Sequence, residues 1–230
     1  MFLTPDNKIR WKLLGISTIF VVLIILAGVL WFDKPLFLFI RGFYSVKFSL
    51  FGEIFSYKNW LLVSAFISVM FYLKKTLDSG DNFKKITKRF AIGAFLEDFL
   101  QKTKTSYAFF IFCSVFFACA VIGVLKVLIG RARPVLFEAL DITGFYPPSF
   151  DWVFNSMPSG HATATFAGLV MLGLLMPRAK PFTWTLATVV GLSRVVAGAH
   201  WPTDVILGAF VGMVAADLTK AFLKSRYLRF

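Results

Sequence analysis

The chain has 230 residues, of which 58% are hydrophobic and only 16% are charged, and it carries a net charge of +13. Soluble domains are about half apolar and about a quarter charged, so this composition argues against a soluble protein and predicts a membrane protein. Basic residues between long apolar runs are typical of the cytoplasmic side of a membrane, so the net charge does not predict a nucleic-acid partner.

Six apolar runs predict membrane-spanning helices, each of which needs about 20 mostly apolar residues. They cover residues 13–32, about 60–73, 107 to about 129, about 160–176, 182 to about 198, and 205 to about 222. The first run is too long for a typical signal-peptide core and lacks a cleavage site of small residues, which favours a retained helix. The expected fold class is an all-α integral membrane bundle of six transmembrane helices in a single domain, 1–230.

The distribution of Lys and Arg predicts the orientation of this bundle. Basic residues collect before the first run, between the second and third, between the fourth and fifth, and after the sixth. Since such residues mark cytoplasmic connections, both termini are expected in the cytoplasm and the alternate connections on the outer side. Segments 35–55 and 83–101 mix apolar and basic residues. Each is either a helix in the headgroup layer or an ordinary loop, and the sequence leaves both open.

Polar and ionisable residues gather at the outer ends of runs three to six. Run three ends in "KVLIGRARP", run four begins at "PSGH", and runs five and six meet in "SRVVAGAHWPTD". Such residues are costly at membrane depth and are therefore functional candidates. Each block alone has a simpler explanation: arginines that reach toward the interface, a helix cap, or a packed histidine.

The three blocks together are suited to binding a phosphate group. Lys126 and Arg133 lie two helical turns apart and would point the same way if the helix continues through both, and Arg194 adds a third cation. Guanidinium and ammonium groups bind phosphate oxygens. If Pro158 occupies the first turn of a helix, the amides of Ser159, Gly160 and His161 would be unpaired donors at the positive end of the helix dipole.

The two histidines of the chain, His161 and His200, are candidates for catalysis. His200 and Asp204 are four residues apart, so at the start of a helix the carboxylate could bond one ring nitrogen and leave the other free to attack. This is the arrangement of an oriented nucleophile. His161 lies on a separate run and could act as an acid. The two cysteines, six residues apart in one run, predict neither a disulfide framework nor a metal site.

The combined pattern resembles the three-part signature of the type 2 phosphatidic acid phosphatase superfamily. The pattern is Lys, six residues, Arg-Pro; then Pro-Ser-Gly-His; then Ser-Arg, five residues, His, three residues, Asp, and every fixed position is matched. The resemblance covers about 107–217, the expected catalytic core. It implies that His200 becomes a phosphohistidine, that Asp204 orients it, and that His161 protonates the leaving group. It also implies no metal or other cofactor, and a phosphate held by Lys126, Arg133, Ser159, Gly160 and Arg194.

The resemblance predicts an enzyme of the bacterial inner membrane whose active site faces the periplasm and whose substrate is a phosphorylated membrane lipid. Lipid A 1-phosphate or undecaprenyl diphosphate is favoured, and phosphatidylglycerophosphate or phosphatidic acid is the alternative. Soluble members of the family, including haloperoxidases, fit six spans poorly. A non-enzymatic protein that binds anionic lipid headgroups needs the cations but neither His200 nor Asp204. The sequence predicts no oligomeric state.

The connection 135–157 joins the first two blocks and is rich in aromatic residues, including Phe150 and Trp152. Aromatic side chains of this density are typical of the membrane interface. The segment is expected either to pack over the helix ends or to form a rim that dips into the outer leaflet and admits lipid headgroups from the side.

Overall fold

A computed structural model describes residues 1–79, 98–99, 101–103 and 106–227, with side chains as far as residue 223. Throughout these ranges the regular structure is helical, and only isolated bridges, with no strand, are present. The all-α prediction is therefore confirmed for the described residues. Most of the segment 83–101, predicted as an interfacial helix or loop, lies outside them.

The first half of the described chain forms one long helix followed by a short and a long one. Helix α1 (Trp11–Ala27) continues through a π-helical turn (Gly28–Phe32) into α2 (Asp33–Arg41). Helices α3 (Val46–Ile54) and α4 (Tyr57–Asp78) follow. No residue of α1 is buried, so its apolar side chains are available to lipid. The segment 35–55 is thus largely helical, while its depth relative to the headgroups remains a prediction.

The second half contains the helices that carry the three sequence blocks. They are α5 (Tyr107–Ile129), α6 (Pro134–Leu140), α7 (Gly160–Leu175), α8 (Lys180–Val196) and α9 (Pro202–Tyr227). Short 3-10 turns lie at Trp152–Phe154 and Pro177–Ala179.

Helix α7 is the centre of the bundle, with most of its residues buried and with α5, α8 and α9 packed around it. Two glycines allow α9 to approach α7 closely. A Cβ atom at Gly208 would lie 2.7 Å from the Ser159 carbonyl oxygen, and one at Gly212 would lie 2.5 Å from the Thr163 carbonyl oxygen. Small residues four apart permit such backbone contact between membrane helices. The start of α9 is thereby held against the start of α7.

Four helices in the described part of the chain are long and apolar enough to cross a membrane: Trp11–Arg41, Tyr57–Asp78, Tyr107–Ile129 and Pro202–Leu223. They correspond to predicted spans one, two, three and six. Helices α7 and α8 have only 16 and 17 residues, and at 1.5 Å per residue α7 is about 24 Å long, less than the roughly 30 Å of a bilayer core. The count of six spans and the cytoplasmic termini therefore remain predictions.

Candidate active site

A cavity of about 620 Å³ lies where the C-terminal ends of α5 and α8 and the N-terminal end of α7 meet the turn before α9. Of the ten site residues predicted from the sequence, eight line this cavity: Lys126, Arg133, Phe150, Trp152, Gly160, His161, Arg194 and His200. Ser159 and Asp204 are fully buried beside it. The structure thus brings the three sequence blocks together, while the role of each residue stays a prediction.

The condition under which Lys126 and Arg133 would share a helix face is not met, because the helix does not continue through Arg133. Helix α5 ends at Ile129 because Gly130 adopts a left-handed conformation with φ of 58°, where a side chain would also meet the Tyr146 carbonyl oxygen at 2.5 Å. The two cations nevertheless converge, since both donate to the Asn155 carbonyl oxygen. The distances are 2.6 Å from Lys126 Nζ and 3.2 Å from Arg133 Nη2.

Arg133 is also held by the connection 135–157, the aromatic segment, whose Phe150 and Trp152 line the cavity. Its Nε donates to the Trp152 carbonyl oxygen at 2.9 Å, and its Nη1 donates to the Ala199 carbonyl oxygen at 3.1 Å. The guanidinium lies over the Trp152 ring, 4.3 Å from the centroid, which is a cation–π contact. Burial, together with the charge of Arg194, lowers the pKa of Arg133 to about 10, so the group is still cationic at neutral pH.

Arg194 brings buried donor atoms without a partner to the residues that line the cavity. The residue is only 5% exposed, and its Nη2 donates to Glu53 Oε1 at 2.8 Å. Its Nε and Nη1 atoms are buried and have no hydrogen-bond partner among the described residues. Since buried polar atoms are normally paired, these two donors are suited to an anionic ligand.

The start of α7 differs from the prediction in one respect. The helix begins at Gly160 with Ser159 as its N-cap, so Pro158 precedes the helix and does not lie in its first turn. The Ser159 hydroxyl accepts from Ala162 N at 3.4 Å, and the Ser159 amide donates to the Asp204 carbonyl oxygen at 2.9 Å. The Ser159 amide is therefore already paired, and only Gly160 and His161 of the three predicted amide donors line the cavity.

His200 and Asp204 are close together, but not because both lie on one helix. Helix α9 begins at Pro202, and Asp204 folds back over the helix start, where its Oδ2 accepts from Trp201 N at 2.9 Å. An acidic residue at this position commonly caps the first turn. His200 Nδ1 lies 3.6 Å from Asp204 Oδ2, which is longer than a hydrogen bond.

The environment of His200 favours a neutral imidazole. The residue is 3% exposed, and burial, with the charges of Lys126 and Arg133, lowers its pKa to about 3. Its Nδ1 has no hydrogen-bond partner among the described side chains and backbone groups. A neutral ring with an available lone pair is the form that can act as a nucleophile.

A buried ion network behind His200 was not predicted. Arg131 Nη1 donates to Asp204 Oδ1 at 2.7 Å, and Arg131 Nη2 donates to Asp33 Oδ2 at 2.6 Å. Asp33 also accepts from Thr203 N at 3.0 Å, so it caps the start of α9 from the start of α2. Arg131 is visible in the "GRARP" block, but nothing in the sequence connects it to Asp33, 98 residues away.

Glu53 on α3 is a further site residue that the sequence analysis did not predict. Its Oε2 lies 3.0 Å from His161 Nε2, and its Oε1 accepts from Arg194 Nη2 at 2.8 Å. Burial raises the pKa of Glu53, but the charges of Arg194 and His161 outweigh this and hold it below its usual value. Glu53 is the only acidic residue in the segment 35–55, and this isolation was the available signal.

Comparison with known proteins identifies the family. The PAP2 superfamily profile matches residues 106–227, just over half of the chain. The chain belongs to the PAP2 superfamily. The resemblance to type 2 phosphatidic acid phosphatases inferred from the three sequence blocks is thereby confirmed. No solved structure matches the chain.

Curated relatives are similar to part of the chain. A lipid A 1-phosphatase of Rhizobium etli is 39% identical over 103 residues, which is 45% of this chain and 44% of the relative. An undecaprenyl-diphosphatase of Sulfolobus acidocaldarius is 33% identical over 100 residues, 39% of this chain and 46% of the relative. A decaprenylphosphoryl-5-phosphoribose phosphatase of Mycobacterium tuberculosis is 32% identical over 97 residues, 42% of this chain and 50% of the relative. The chain thus spans about half the length of these relatives.

Proposed function

We propose that this chain is a membrane lipid phosphatase that transfers the phosphoryl group of a phosphorylated lipid to His200 and then to water. The observation that carries the proposal is that Arg194, whose Nε and Nη1 atoms have no hydrogen-bond partner among the described residues, lines the same cavity as His200 and His161. Phosphate oxygens are acceptors of the kind that these buried donors need. Lys126 and Arg133 add charge to the same site.

The first step forms a bond between His200 and phosphorus. His200 Nδ1 lies on the Asp204 side, which leaves Nε2 to attack the phosphorus atom. The bond between phosphorus and the lipid oxygen breaks, and the leaving oxygen takes a proton from His161. Asp204 stabilises the positive charge that develops on the His200 ring. Lys126, Arg133 and Arg194 stabilise the charge on the phosphoryl oxygens, as positioned cations do in phosphoryl transfer.

The second step returns the enzyme to its starting state. A water molecule attacks the phosphohistidine, and His161 accepts a proton from this water. The phosphorus–nitrogen bond breaks, so inorganic phosphate is released and His200 is neutral again. His161 thereby acts as an acid in one step and as a base in the other.

Lipid A 1-phosphate or undecaprenyl diphosphate is the favoured substrate, with phosphatidylglycerophosphate or phosphatidic acid as the alternative. The similarity to a lipid A 1-phosphatase and an undecaprenyl-diphosphatase supports this choice. The bacterial inner membrane is the proposed location, with the cavity on the periplasmic side, because Lys and Arg collect on the connections opposite the cavity. A protein that only binds anionic headgroups would use the same cations without chemistry.

Phosphate release by the purified protein in detergent tests the proposal. Lipid A 1-phosphate, undecaprenyl diphosphate and phosphatidylglycerophosphate would be compared. Activity is expected to survive a chelator, since three cations in the cavity repel a divalent ion, and orthovanadate is expected to inhibit. His200→Ala is expected to lower turnover by at least about a thousandfold.

The control variant is Glu138→Gln, which removes an acidic partner of Arg41 outside the cavity. It is expected to retain wild-type turnover. Near wild-type activity in His200→Ala would contradict the mechanism. Binding of these lipids with no phosphate release by the wild-type protein would favour a headgroup-binding protein.

A further inference from the structure

Glu53 places a carboxylate among the cations of the cavity. One oxygen contacts Arg194 and the other contacts His161, at 2.8 and 3.0 Å. The Glu53 side chain is 52% exposed, so these contacts leave part of the carboxylate open. The group lies at the cavity surface beside the histidine that would protonate the leaving oxygen.

The backbone around Glu53 is fixed by the helices next to it. Helix α3 packs against α8, and Gly52 permits this approach, because a Cβ atom there would lie 2.2 Å from Ser193 Oγ. Thr165 Oγ1 on α7 donates to the Phe55 carbonyl oxygen at 3.2 Å. Asn59 Nδ2 donates to the Ile54 carbonyl oxygen at 3.0 Å. Glu53 is therefore presented to the cavity by a supported helix end.

Glu53 reduces the positive charge of the described cavity lining. Lys126, Arg133 and Arg194 supply three positive charges when Lys126 is protonated, and Glu53 supplies one negative charge. The balance is two positive charges with both histidines neutral, and three when His161 carries the proton that it donates. A phosphate group carries up to about two negative charges at neutral pH. A lipid diphosphate carries a further negative charge on its inner phosphoryl group, which belongs to the leaving group.

Glu53 lies where the leaving group is expected, because its Oε2 is 3.0 Å from His161 Nε2. In the proposed reaction His161 protonates the leaving oxygen, so the atoms attached to that oxygen lie next to Glu53. When the leaving group is a sugar or an alcohol, Glu53 can accept a hydrogen bond from a hydroxyl. When it is a lipid phosphate, anionic oxygens come within a few ångströms of the carboxylate, and like charges at that distance repel strongly.

We infer that Glu53 is a specificity-determining residue that favours lipid phosphate monoesters, with a neutral leaving group, over lipid diphosphates. This inference rests on the proposed phosphatase function. Glu53 also favours monoesters through His161. Its carboxylate lies 3.0 Å from His161 Nε2 and stabilises the protonated form of the ring. An alcohol leaving group needs that proton, whereas a phosphate leaving group is more acidic and needs it less.

The test compares two substrates that differ by one phosphoryl group. Farnesyl phosphate and farnesyl diphosphate carry the same lipid, and kcat/KM for each is measured with the purified protein in detergent. The wild-type protein is expected to prefer the monophosphate. Glu53→Gln is expected to raise the diphosphate-to-monophosphate ratio of kcat/KM by at least about tenfold, since it removes the repelling charge. The control Glu138→Gln is expected to leave the ratio unchanged.

An unchanged ratio in Glu53→Gln, or an equal loss on both substrates, would overturn the inference while leaving the phosphatase function intact. A wild-type protein that releases phosphate from neither farnesyl lipid, nor from lipid A 1-phosphate, undecaprenyl diphosphate or phosphatidylglycerophosphate, would instead contradict the proposed function. In that case, the effect of the Glu53 charge on anion preference can still be tested by the binding of inorganic phosphate and inorganic diphosphate. Inorganic phosphate is expected to raise the unfolding temperature of the wild-type protein more than inorganic diphosphate does, and Glu53→Gln is expected to reverse or abolish this difference. Equal preferences in the two proteins would overturn it.

Discussion

The two halves of the chain contribute to the cavity in different ways. The segment 106–227, which holds helices α5–α9 and matches the superfamily, supplies both histidines and the three cations. Helices α1–α4 lie outside that match and supply two acidic side chains, Asp33 behind His200 and Glu53 at the cavity surface. The second half therefore supplies the histidines and cations of the cavity. The first half supplies carboxylates that contact these groups or their neighbours.

The largest effect is expected from the buried acidic residue of the first half. Asp33→Ala leaves Arg131 with one carboxylate and uncaps Thr203 N. Removing one partner of a buried ion pair costs about 3–5 kcal/mol, so a clear drop in the unfolding temperature in detergent is expected. Asp33→Asn keeps a hydrogen-bond acceptor and should lose less. Asp6→Asn, at an exposed position, is the control, and a shift in Asp33→Ala no larger than in this control would contradict the proposed support.

A smaller effect is expected from His200 in the second half, whose protonation makes the stability of the protein depend on pH. His200 has a pKa of about 3 in the folded protein, whereas an unfolded histidine titrates near 6.5. Between these values the unfolded chain binds a proton that the folded chain does not, so stability falls as the pH is lowered. Between pH 7 and pH 5 this amounts to about 2 kcal/mol. The unfolding temperature of His200→Asn should fall less over this range, and an equal fall in both proteins would count against a buried neutral His200.

The aromatic segment offers the smallest effect and separates lipid docking from support of the site. Phe150 is 85% exposed, whereas Trp152 stacks on Arg133. Phe150→Ala is therefore expected to lower kcat/KM about tenfold for a long-chain lipid phosphate, the order of one lost aromatic contact, and hardly at all for a short-chain soluble analogue. Trp152→Ala should lower both, because it also removes the ring that lies over Arg133. Equal losses on both substrates in Phe150→Ala would mean that the segment does not dock lipid.

The sequence predicted those helices whose bounds depend on a local run of apolar residues. The bounds of α5, 107–129, follow from an uninterrupted apolar run and are confirmed. The convergence of the three blocks followed from their common side of the membrane. The local geometry was predicted less well, because Gly130 ends α5 before Arg133 and Pro202 starts α9 after His200. Lys126 still converges with Arg133, and His200 with Asp204. These contacts depend on tertiary structure, which helical spacing in the sequence does not predict.

Asp33 and Glu53 could not be predicted as site residues for a different reason. Each contacts partners about 100 or more residues away, as in Asp33 with Arg131 and Glu53 with His161. Such contacts depend on how α1–α4 pack against α5–α9, and one sequence carries no local signal of that packing. An isolated acidic residue in an apolar segment is a useful indication, because an unpaired charge at membrane depth is costly.

The central claim is that His200 forms a covalent bond to phosphorus, and trapping that bond tests it most directly. The purified protein would be mixed with a lipid phosphate labelled in the phosphoryl group, quenched in base within milliseconds, and digested for mass spectrometry. A phosphohistidine at position 200 is expected in the wild-type protein and no label in His200→Ala. His161→Ala should still carry label when the leaving group is good, because this residue only moves a proton. Turnover of the substrate with no phosphohistidine at His200, or with label on another residue, would contradict the account.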